Sequence, residues 1–395
     1  MEKAQSVSPD TTAERIFQAA DVSTIASAHA MHDTFPSFLP SLVPLLIEKF
    51  SLSNTQVGIF TACLRLPSVL QPVLGHLSDR RDLRWIAILA PAVTATAISL
   101  LGIAPGYGAL LILLLVAGVS SAAFHSVAPA MAGKVSGSQL GRGMSYWMVG
   151  GELGRTLGPV IAVGAVSWLT LPGLPYTMLM GWAASFIIFF RLRAIPVTPN
   201  QTQTSLHWRA ALLALKPVLL PLIGLMIARS MLELSISIYL PVYLTQKGAS
   251  LWLAGASLTI YEAAGLLGAL LGGLLSDRLG RKKVILFSIV TAPLLTAAFL
   301  LAPAALRLPL LLMMGFSILC VNPVVMALVQ ENTPQNRALA LGVFLGINFV
   351  IGSIASVAAG MLGDAFGLTT AFAGSAALYL LGAPLVLLLP RASKP

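Results

Sequence analysis

Charged side chains occur inside stretches of this sequence that are otherwise apolar. At the centre of a membrane-spanning helix a charged side chain costs about 2.5–3.5 kcal/mol on insertion scales, so such residues usually mark a functional site. Their chemistry would be the binding of charged solutes and the transfer of protons. The residues are Asp33, Arg65, Glu152, Arg155, Arg229, Glu233 and Glu262.

Four of these residues form two pairs with helical spacing. Glu152 and Arg155 are three residues apart, and Arg229 and Glu233 are four apart, so the members of each pair share a helix face. Two interpretations are open. Each pair is a structural ion pair that permits insertion, or the two pairs face a water-filled cavity, one from each half of the chain.

The arginines and the carboxylates favour different roles. A guanidinium group keeps its proton and binds a carboxylate or phosphonate through two hydrogen bonds, so the arginines favour an anionic substrate. Burial disfavours a charged carboxyl group and a nearby arginine favours it, so a substrate that approaches the arginine could release the acid to take up a proton. We expect proton coupling at Asp33, Glu262, Glu152 and Glu233. Asp33 and Glu262 are the better carriers, because neither has an arginine within one helical turn.

The histidines within the apolar stretches allow more than one role. His125 is isolated in its stretch, and either a packing role or proton relay fits it. His29 and Asp33 are four residues apart and could form a hydrogen bond, whereas His32 points elsewhere on the helix. The spacing of these residues predicts no metal site.

Composition and hydropathy predict the fold class. Hydrophobic residues make up 57% of the 395 residues and charged residues 10%, against roughly 25% in soluble domains. Apolar runs of about 20 residues predict helices that span a membrane, and barrel strands would be shorter. We therefore expect an all-α integral membrane protein. The predicted spans 1 to 12 are 22–48, 55–75, 85–103, 108–132, 144–168, 173–190, 217–244, 253–275, 284–303, 308–330, 338–362 and 369–390.

The distribution of lysine and arginine predicts the orientation. If both termini are cytoplasmic, most of the 24 basic residues lie on the cytoplasmic side, as the positive-inside rule requires. The net charge of +10 then needs no nucleic-acid partner. The predicted divisions are a cytoplasmic tail (1–21), two six-helix bundles (22–190 and 217–390), a cytoplasmic linker between them (191–216) and a short cytoplasmic tail (391–395).

A short motif occurs twice, at half the length of the chain. The sequence Gly-His-Leu-Ser-Asp-Arg begins at Gly75, and Gly-Leu-Leu-Ser-Asp-Arg begins at Gly273. Each copy follows an apolar run and precedes another, so we expect both in polar loops between spans. The repeat indicates two copies of one six-helix unit.

These features resemble the major facilitator superfamily. The repeated motif is similar to the superfamily signature between spans 2 and 3 and spans 8 and 9, and the Gly-x-x-x-Gly-Pro sequence from Gly154 to Pro159 resembles the antiporter motif. Shorter pieces are similar to the fosmidomycin-resistance branch: Ala28 and His29 with Asp33, Ala123 to His125, Val329 to Pro334, and Gly363 to Gly367.

The resemblance implies a transport path through the middle of the molecule. Spans 1, 4, 7 and 10 would line it, which places Asp33, Glu233 and the polar residues of spans 4, 7 and 10 on or near the path. Spans 2, 5, 8 and 11 would flank it and carry Glu152 and Glu262. The expected substrate-binding residues are Arg229, Arg155, Arg65, His125, Asn322 and Asn348.

A third set of residues is expected to control gating. The aspartate and arginine of each repeated motif lie at span ends, where they can contact helix termini and basic neighbours. Topology alone would explain the arginines but not the aspartates. The glycines of span 5 favour close helix packing and its proline a bend. The set is Asp79, Arg80, Asp277, Arg278, Gly154, Gly158 and Pro159.

The resemblance implies a secondary transporter of a bacterial inner membrane that works by alternating access. We expect export of drug-like or anionic small molecules in exchange for protons, by a monomer embedded in membrane lipid. Proton-coupled uptake of an organic anion and movement of an amphipathic lipid are alternatives. No phosphate-binding glycine-rich loop is present, because Gly133 and Lys134 are followed by Val135. We expect no cofactor, no metal and no enzymatic activity.

Overall fold

The computed structural model describes residues 17–193, 208–332 and 337–389, and these residues form α-helices and short 3-10 segments. Among the described residues, nine helical stretches are long and apolar enough to cross a membrane, and the last of them, residues 340–388, contains two spans separated at Gly367, where φ is 80°. These nine stretches contain ten spans. Span 1, which is divided into two helices, and span 5, which carries charged residues, bring the total to the predicted twelve. The chain is therefore an all-α, multi-pass membrane protein, as predicted.

The helices of the first half are Ala19–Thr34 and Phe38–Phe50 (span 1), Asn54–Arg65 with Gln71–Arg80 (span 2), Arg84–Ser99 (span 3), Tyr107–Val135 (span 4), Leu140–Leu169 (span 5) and Met178–Leu192 (span 6). Those of the second half are Trp208–Gln246 (span 7), Leu251–Leu279 (span 8), Arg281–Leu301 (span 9), Ala304–Leu319 with Val321–Glu331 (span 10), and Arg337–Leu381 with Ala383–Leu388 (spans 11 and 12).

Proline accounts for the interruptions of spans 1 and 2. Span 1 breaks between Thr34 and Phe38, at Pro36, whereas Pro40 and Pro44 lie within the second helix. Pro40 is in the first turn, where a missing N–H removes no intrahelical bond. In span 2, the 3-10 segment Leu66–Leu70 with Pro67 follows Arg65 directly.

The repeated motifs lie in helices and not in loops. The first copy falls within Gln71–Arg80 and the second within Leu251–Leu279. In both copies the serine hydroxyl donates to the carbonyl of the glycine three residues earlier, Ser78 to Gly75 at 2.7 Å and Ser276 to Gly273 at 2.8 Å. The helix that carries the second copy ends at Leu279. The next residue, Gly280, has a φ of 97°, a conformation that favours glycine.

Several predicted segments lie outside the described residues. These are positions 1–16 of the N-terminal tail, 194–207 of the linker and 391–395 of the C-terminal tail. Span 7 begins at Trp208 and not at 217, so the end of the predicted linker is helical.

The two halves pack against each other at one end of the molecule. We call the end that carries both repeated motifs the basic end, and the end that carries Asn54 and Asp364 the opposite end. At the opposite end span 2 packs on span 11, and span 5 packs on span 8. A Cβ atom at Gly58 would lie 2.4 Å from the carbonyl oxygen of Ser356, so glycine permits this backbone contact.

Hydrogen bonds between the halves reinforce this contact. The Asp364 carboxylate accepts from the backbone N–H groups of Asn54 at 2.7 Å and Thr55 at 2.9 Å, and from the Thr55 hydroxyl at 2.5 Å. Because Asn54 begins a helix, the carboxylate also caps N–H groups that lack intrahelical partners. The Tyr239 hydroxyl donates to the Asn54 carbonyl at 2.8 Å.

Candidate functional site

A cavity of about 300 Å³ lies between the two halves, on the basic-end side of their contact. Spans 2 and 5 line it from the first half and spans 7, 9, 10, 11 and 12 from the second. Its charged and amide-bearing lining residues are Arg65, Glu152, Arg155, Arg229, Glu233, Asn322 and Asn348. The sequence analysis placed all seven in the candidate site, and the tertiary structure brings them together.

The ion pair of the second half is Arg229 with Glu233. The guanidinium Nη2 lies 3.0 Å from Oε2 of Glu233, and the Arg229 Nε donates to the Ile318 carbonyl at 3.3 Å. The two side chains are 12% and 23% exposed. Burial and the contact to span 10 fix the guanidinium in place at the cavity wall.

The ion pair of the first half is Glu152 with Arg155. The guanidinium Nη2 contacts Oε1 of Glu152, but the Arg155 side chain is 48% exposed whereas that of Glu152 is 17% exposed. Two or more N–H groups of Arg155 therefore remain able to bind a ligand. Each predicted pair forms an ion pair, and each also lines the cavity. The two interpretations of the spacing therefore both apply.

Arg65 differs from the other two arginines. Among the described residues no carboxylate forms an ion pair with it. Its guanidinium lies 5.7 Å from the centroid of the Phe349 ring, and its buried Nε has no hydrogen-bond partner. A Cβ at Gly352 would lie 3.0 Å from the guanidinium, so this glycine makes room for it. Arg65 therefore presents to the cavity a cation that forms no ion pair with any described residue.

Glu262 lies in span 8 and is not among the cavity-lining residues. The Ser237 hydroxyl lies 3.4 Å from its Oε1, and no described lysine or arginine forms an ion pair with it. The charge of Arg155 acts on Glu262, but Arg155 forms its ion pair with Glu152. Its role in proton coupling stays a prediction.

Asp33 and His125 form a second polar cluster within the first half, together with His29. The Asp33 carboxylate lies 3.2 Å from His29 Nε2 through Oδ2 and 3.4 Å from His125 Nε2 through Oδ1. Spacing of four residues indicated the His29 contact, but no local signal indicated that His125 joins them. His32 stacks on Phe124 at 4.2 Å between centroids instead.

The charged residues of the predicted gating set differ in their contacts. Asp277 pairs with Arg281 at 2.6 Å, and Arg281 also binds Glu331 at 2.6 Å, a partner that the sequence analysis did not assign. Arg278 is exposed. The side chains of Asp79 and Arg80 lie outside the described part of the structure. Gating by this set stays a prediction.

The glycines of span 5 form a close contact with span 1. A Cβ at Gly154 would lie 2.2 Å from the Ala30 carbonyl oxygen, and one at Gly158 would lie 2.6 Å from that of Thr34. Pro159 lies inside the same helix. Close packing thus has a structural basis, and it brings span 5 against His29 and Asp33.

Comparison with known proteins agrees with this architecture. The chain is 28% identical over 368 residues to the fosmidomycin resistance protein of Escherichia coli K12, covering 91% of this chain and 90% of the relative. It is 29% identical to the MFS-type transporter YfnC of Bacillus subtilis 168, covering 94% and 92%.

Solved structures of similar fold are much more distant in sequence. The nucleoside transporter NupG superposes with a TM-score of 0.77 at 16% identity, covering 94% of this chain and 98% of that one. A bacterial homologue of the lysosomal transporter Spinster, inward-facing and unoccupied, gives 0.77 at 14%, covering 99% and 100%.

A family model covers nearly the whole chain. The model of the Major Facilitator Superfamily matches residues 25–355, and a second match of the same model covers residues 255–395. Because the second match reaches the end of the chain, both six-helix halves fall within the family. Together with the twelve spans and the central cavity, these matches establish that the chain belongs to the Major Facilitator Superfamily of membrane transporters.

Proposed function

We propose that this protein is a proton-coupled secondary transporter that exports drug-like or anionic small molecules by alternating access. The observation that carries the proposal is the arginine-rich cavity between the halves, with one arginine unpaired and another half exposed. Similarity to a fosmidomycin resistance protein supports export of such a compound.

Substrate recognition begins at Arg65 and Arg155. An anionic group that enters the cavity meets the unpaired Arg65 and the exposed side of Arg155, and both can donate two parallel hydrogen bonds to a carboxylate or phosphonate. Asn322 and Asn348 supply uncharged donors and acceptors nearby. Most of the other lining residues are apolar, such as Phe344, which suits a drug-like compound that joins an anionic group to an apolar body. The lipid alternative is tested by the choice of substrates in the transport assay, because failure of every small solute would favour it.

Proton coupling uses a carboxylate outside the two ion pairs. Glu152 and Glu233 neutralise Arg155 and Arg229, so neither can take up a proton without releasing its arginine. Glu262 forms no ion pair with a described residue, so it can take up a proton without breaking one. We assign it the coupling proton, with Ser237 as its hydrogen-bond partner.

The positive-inside rule orients the molecule. The basic end faces the cytoplasm of a bacterial inner membrane, both termini are cytoplasmic, and the cavity receives substrate from that side. The chain works as a monomer, because each half supplies part of the site and both halves are in one chain.

Transport in proteoliposomes under an imposed pH gradient tests the proposal. Phosphonates of the fosmidomycin type, organic carboxylates and cationic drugs are compared as substrates. We expect anion-driven proton movement, reduced about 10-fold or more in Arg65→Gln, because a hydrogen bond to a charged group contributes about 1.5–3 kcal/mol. Glu262→Gln should uncouple transport from the pH gradient.

Arg191→Gln is the matched control for Arg65→Gln, since it removes an exposed arginine at the end of span 6, outside the predicted site. Activity with cations alone, equal in Arg65→Gln and Arg191→Gln, would refute the anion assignment. If the protein takes up the anion together with protons instead of exporting it, the alternative of proton-coupled uptake is correct.

A further inference from the structure

The cluster of His29, Asp33 and His125 brings three ligand atoms together inside the first half. His29 and Asp33 lie on span 1 and His125 on span 4. The two Nε2 atoms are 3.2 Å apart, and the Asp33 oxygens lie 3.2 Å and 3.4 Å from them. The three residues are not among those that line the cavity, although the charge of Arg155 acts on both Asp33 and His125.

Backbone hydrogen bonds determine which nitrogen of each imidazole carries a proton. His29 Nδ1 lies 2.8 Å from the Trp147 carbonyl oxygen, and His125 Nδ1 lies 2.9 Å from that of Ser121. A carbonyl oxygen only accepts, so each Nδ1 is the donor. In the neutral rings both Nε2 atoms therefore present lone pairs toward each other and toward the carboxylate.

Lone pairs that face one another at this distance repel unless a cation lies between them. A tetrahedral metal ion with bonds of about 2.0–2.1 Å holds its ligand atoms about 3.3 Å apart. The separation of the two Nε2 atoms agrees with that spacing, and each Nε2 has one Asp33 oxygen at a similar distance, Oδ2 for His29 and Oδ1 for His125. Ligand histidines in metal sites also commonly donate the other ring nitrogen to a carbonyl oxygen, as both do here.

The surroundings of the cluster preserve this arrangement. A Cβ at Gly151 would lie 2.4 Å from Cε1 of His29, so glycine leaves space for the ring. The Trp147 ring stacks on His29 at 3.6 Å between centroids. The side chains of His29 and Asp33 are 6% and 13% exposed, and that of His125 is 27% exposed, which leaves one side accessible.

We propose that His29, Asp33 and His125 bind a divalent transition-metal ion such as Zn²⁺ or Co²⁺, with the fourth position open on the exposed side of His125. Two imidazoles and one carboxylate suit these ions better than Mg²⁺ or Ca²⁺, which prefer oxygen ligands. The Asp33 charge offsets part of the metal charge, and Glu152 neutralises the nearby Arg155. The bound ion would tie span 1 to span 4.

Titration of the purified full-length protein with Co²⁺ after chelation of other metals tests this site without any transport assay. Tetrahedral Co²⁺ gives visible absorption bands, and paramagnetic Co²⁺ should quench the fluorescence of Trp147. We expect one ion per chain. His125→Ala should weaken binding at least 10–100-fold, about the range found on loss of an outer-shell partner alone.

His76→Ala is the matched control, because His76 lies in span 2 outside the cluster, and it should bind as the wild type does. Gly151→Ala keeps all three ligands but displaces His29, and should weaken binding as well. If the wild type binds no Co²⁺ or Zn²⁺, the lone pairs are satisfied by protons alone and the proposal is wrong. Equal binding by wild type and His125→Ala would also overturn it.

Discussion

The two ends of the molecule differ in what their polar contacts connect. At the opposite end, Asp364 and Tyr239 of the second half bond to Asn54 and Thr55 of the first. At the basic end, each described ion pair joins residues of the same half, such as Arg281 with Glu331. Contacts between the halves hold the opposite end closed. The contacts at the basic end stiffen each half without joining the two halves.

This difference has a consequence for alternating access. A transporter that exposes its cavity to each side in turn must break the contacts of the closed end and form others. The closed end depends on backbone contact at Gly58 and on the hydrogen bonds of one carboxylate. Substitutions there should change the balance between conformations, whereas substitutions within one half should change stability alone.

The largest effect is expected from Gly58→Leu. A side chain at this position meets the backbone of Ser356 and Val357, the latter with its Cα 2.7 Å from the added Cβ. Overpacking typically costs about 1–3 kcal/mol, which corresponds to roughly a 5–150-fold change in the population of the closed end. Spin labels at Ser51 and Thr369, in a background without Cys63 and Cys320, should report a longer distance.

Gly374→Leu is the control for this substitution, because no atom lies within 4 Å of an added Cβ there. It should leave the label distance unchanged. An unchanged distance in Gly58→Leu would mean that the contact of spans 2 and 11 does not hold this end closed.

A smaller effect is expected from Asp364→Asn. Hydrogen bonds to a charged group contribute about 1.5–3 kcal/mol, and asparagine keeps one acceptor oxygen, so we expect about a 10-fold shift toward the open form. The same pair of labels measures it. A shift in the opposite direction would show that the carboxylate does not stabilise closure.

Asp82→Asn provides the matched control at the basic end. The hydrogen bond from the Arg84 side chain holds the pKa of Asp82 below its usual value, so the substitution removes a charge at neutral pH. Its partner belongs to the same half. We therefore expect no change in the distance between Ser51 and Thr369.

The smallest effect is expected from Glu331→Gln. Arg281 keeps its contact with Asp277, and partly exposed ion pairs contribute about 0.2–1 kcal/mol. Thermal unfolding should shift slightly, with no change in the label distance. Glu48→Gln, an exposed glutamate, is the control. If Glu331→Gln changed the distance between the two labels by a large amount, the proposed difference between the two ends would be wrong.

Much of the fold followed from local sequence patterns. Apolar length predicted the spans, and the observed helices extend them by a few residues, as in span 5 from 140 to 169. The break in span 10 between Leu319 and Val321 was not anticipated, although Asn322 and Pro323 follow it directly. Proline lacks the N–H group that would continue the preceding helix, and hydropathy does not report this.

The site was predictable to a different degree. The spacing of Glu152 with Arg155 and of Arg229 with Glu233 predicted both ion pairs, because helix geometry alone places them together. The role of Asp364 was missed, although its motif stood out, because its partners Asn54 and Thr55 are in the other half. Contacts across hundreds of residues leave no signal in one sequence.

The sequence by itself determined that the chain crosses the membrane repeatedly and which charged residues lie inside it. Both follow from the cost of transferring side chains into a hydrocarbon layer and from the period of the helix. Only the tertiary structure decided that the opposite end is closed, that Arg65 lacks a carboxylate partner among the described residues, and that His125 meets Asp33. Those outcomes depend on the packing of distant helices, where glycines such as Gly58 and Gly151 set how closely they approach.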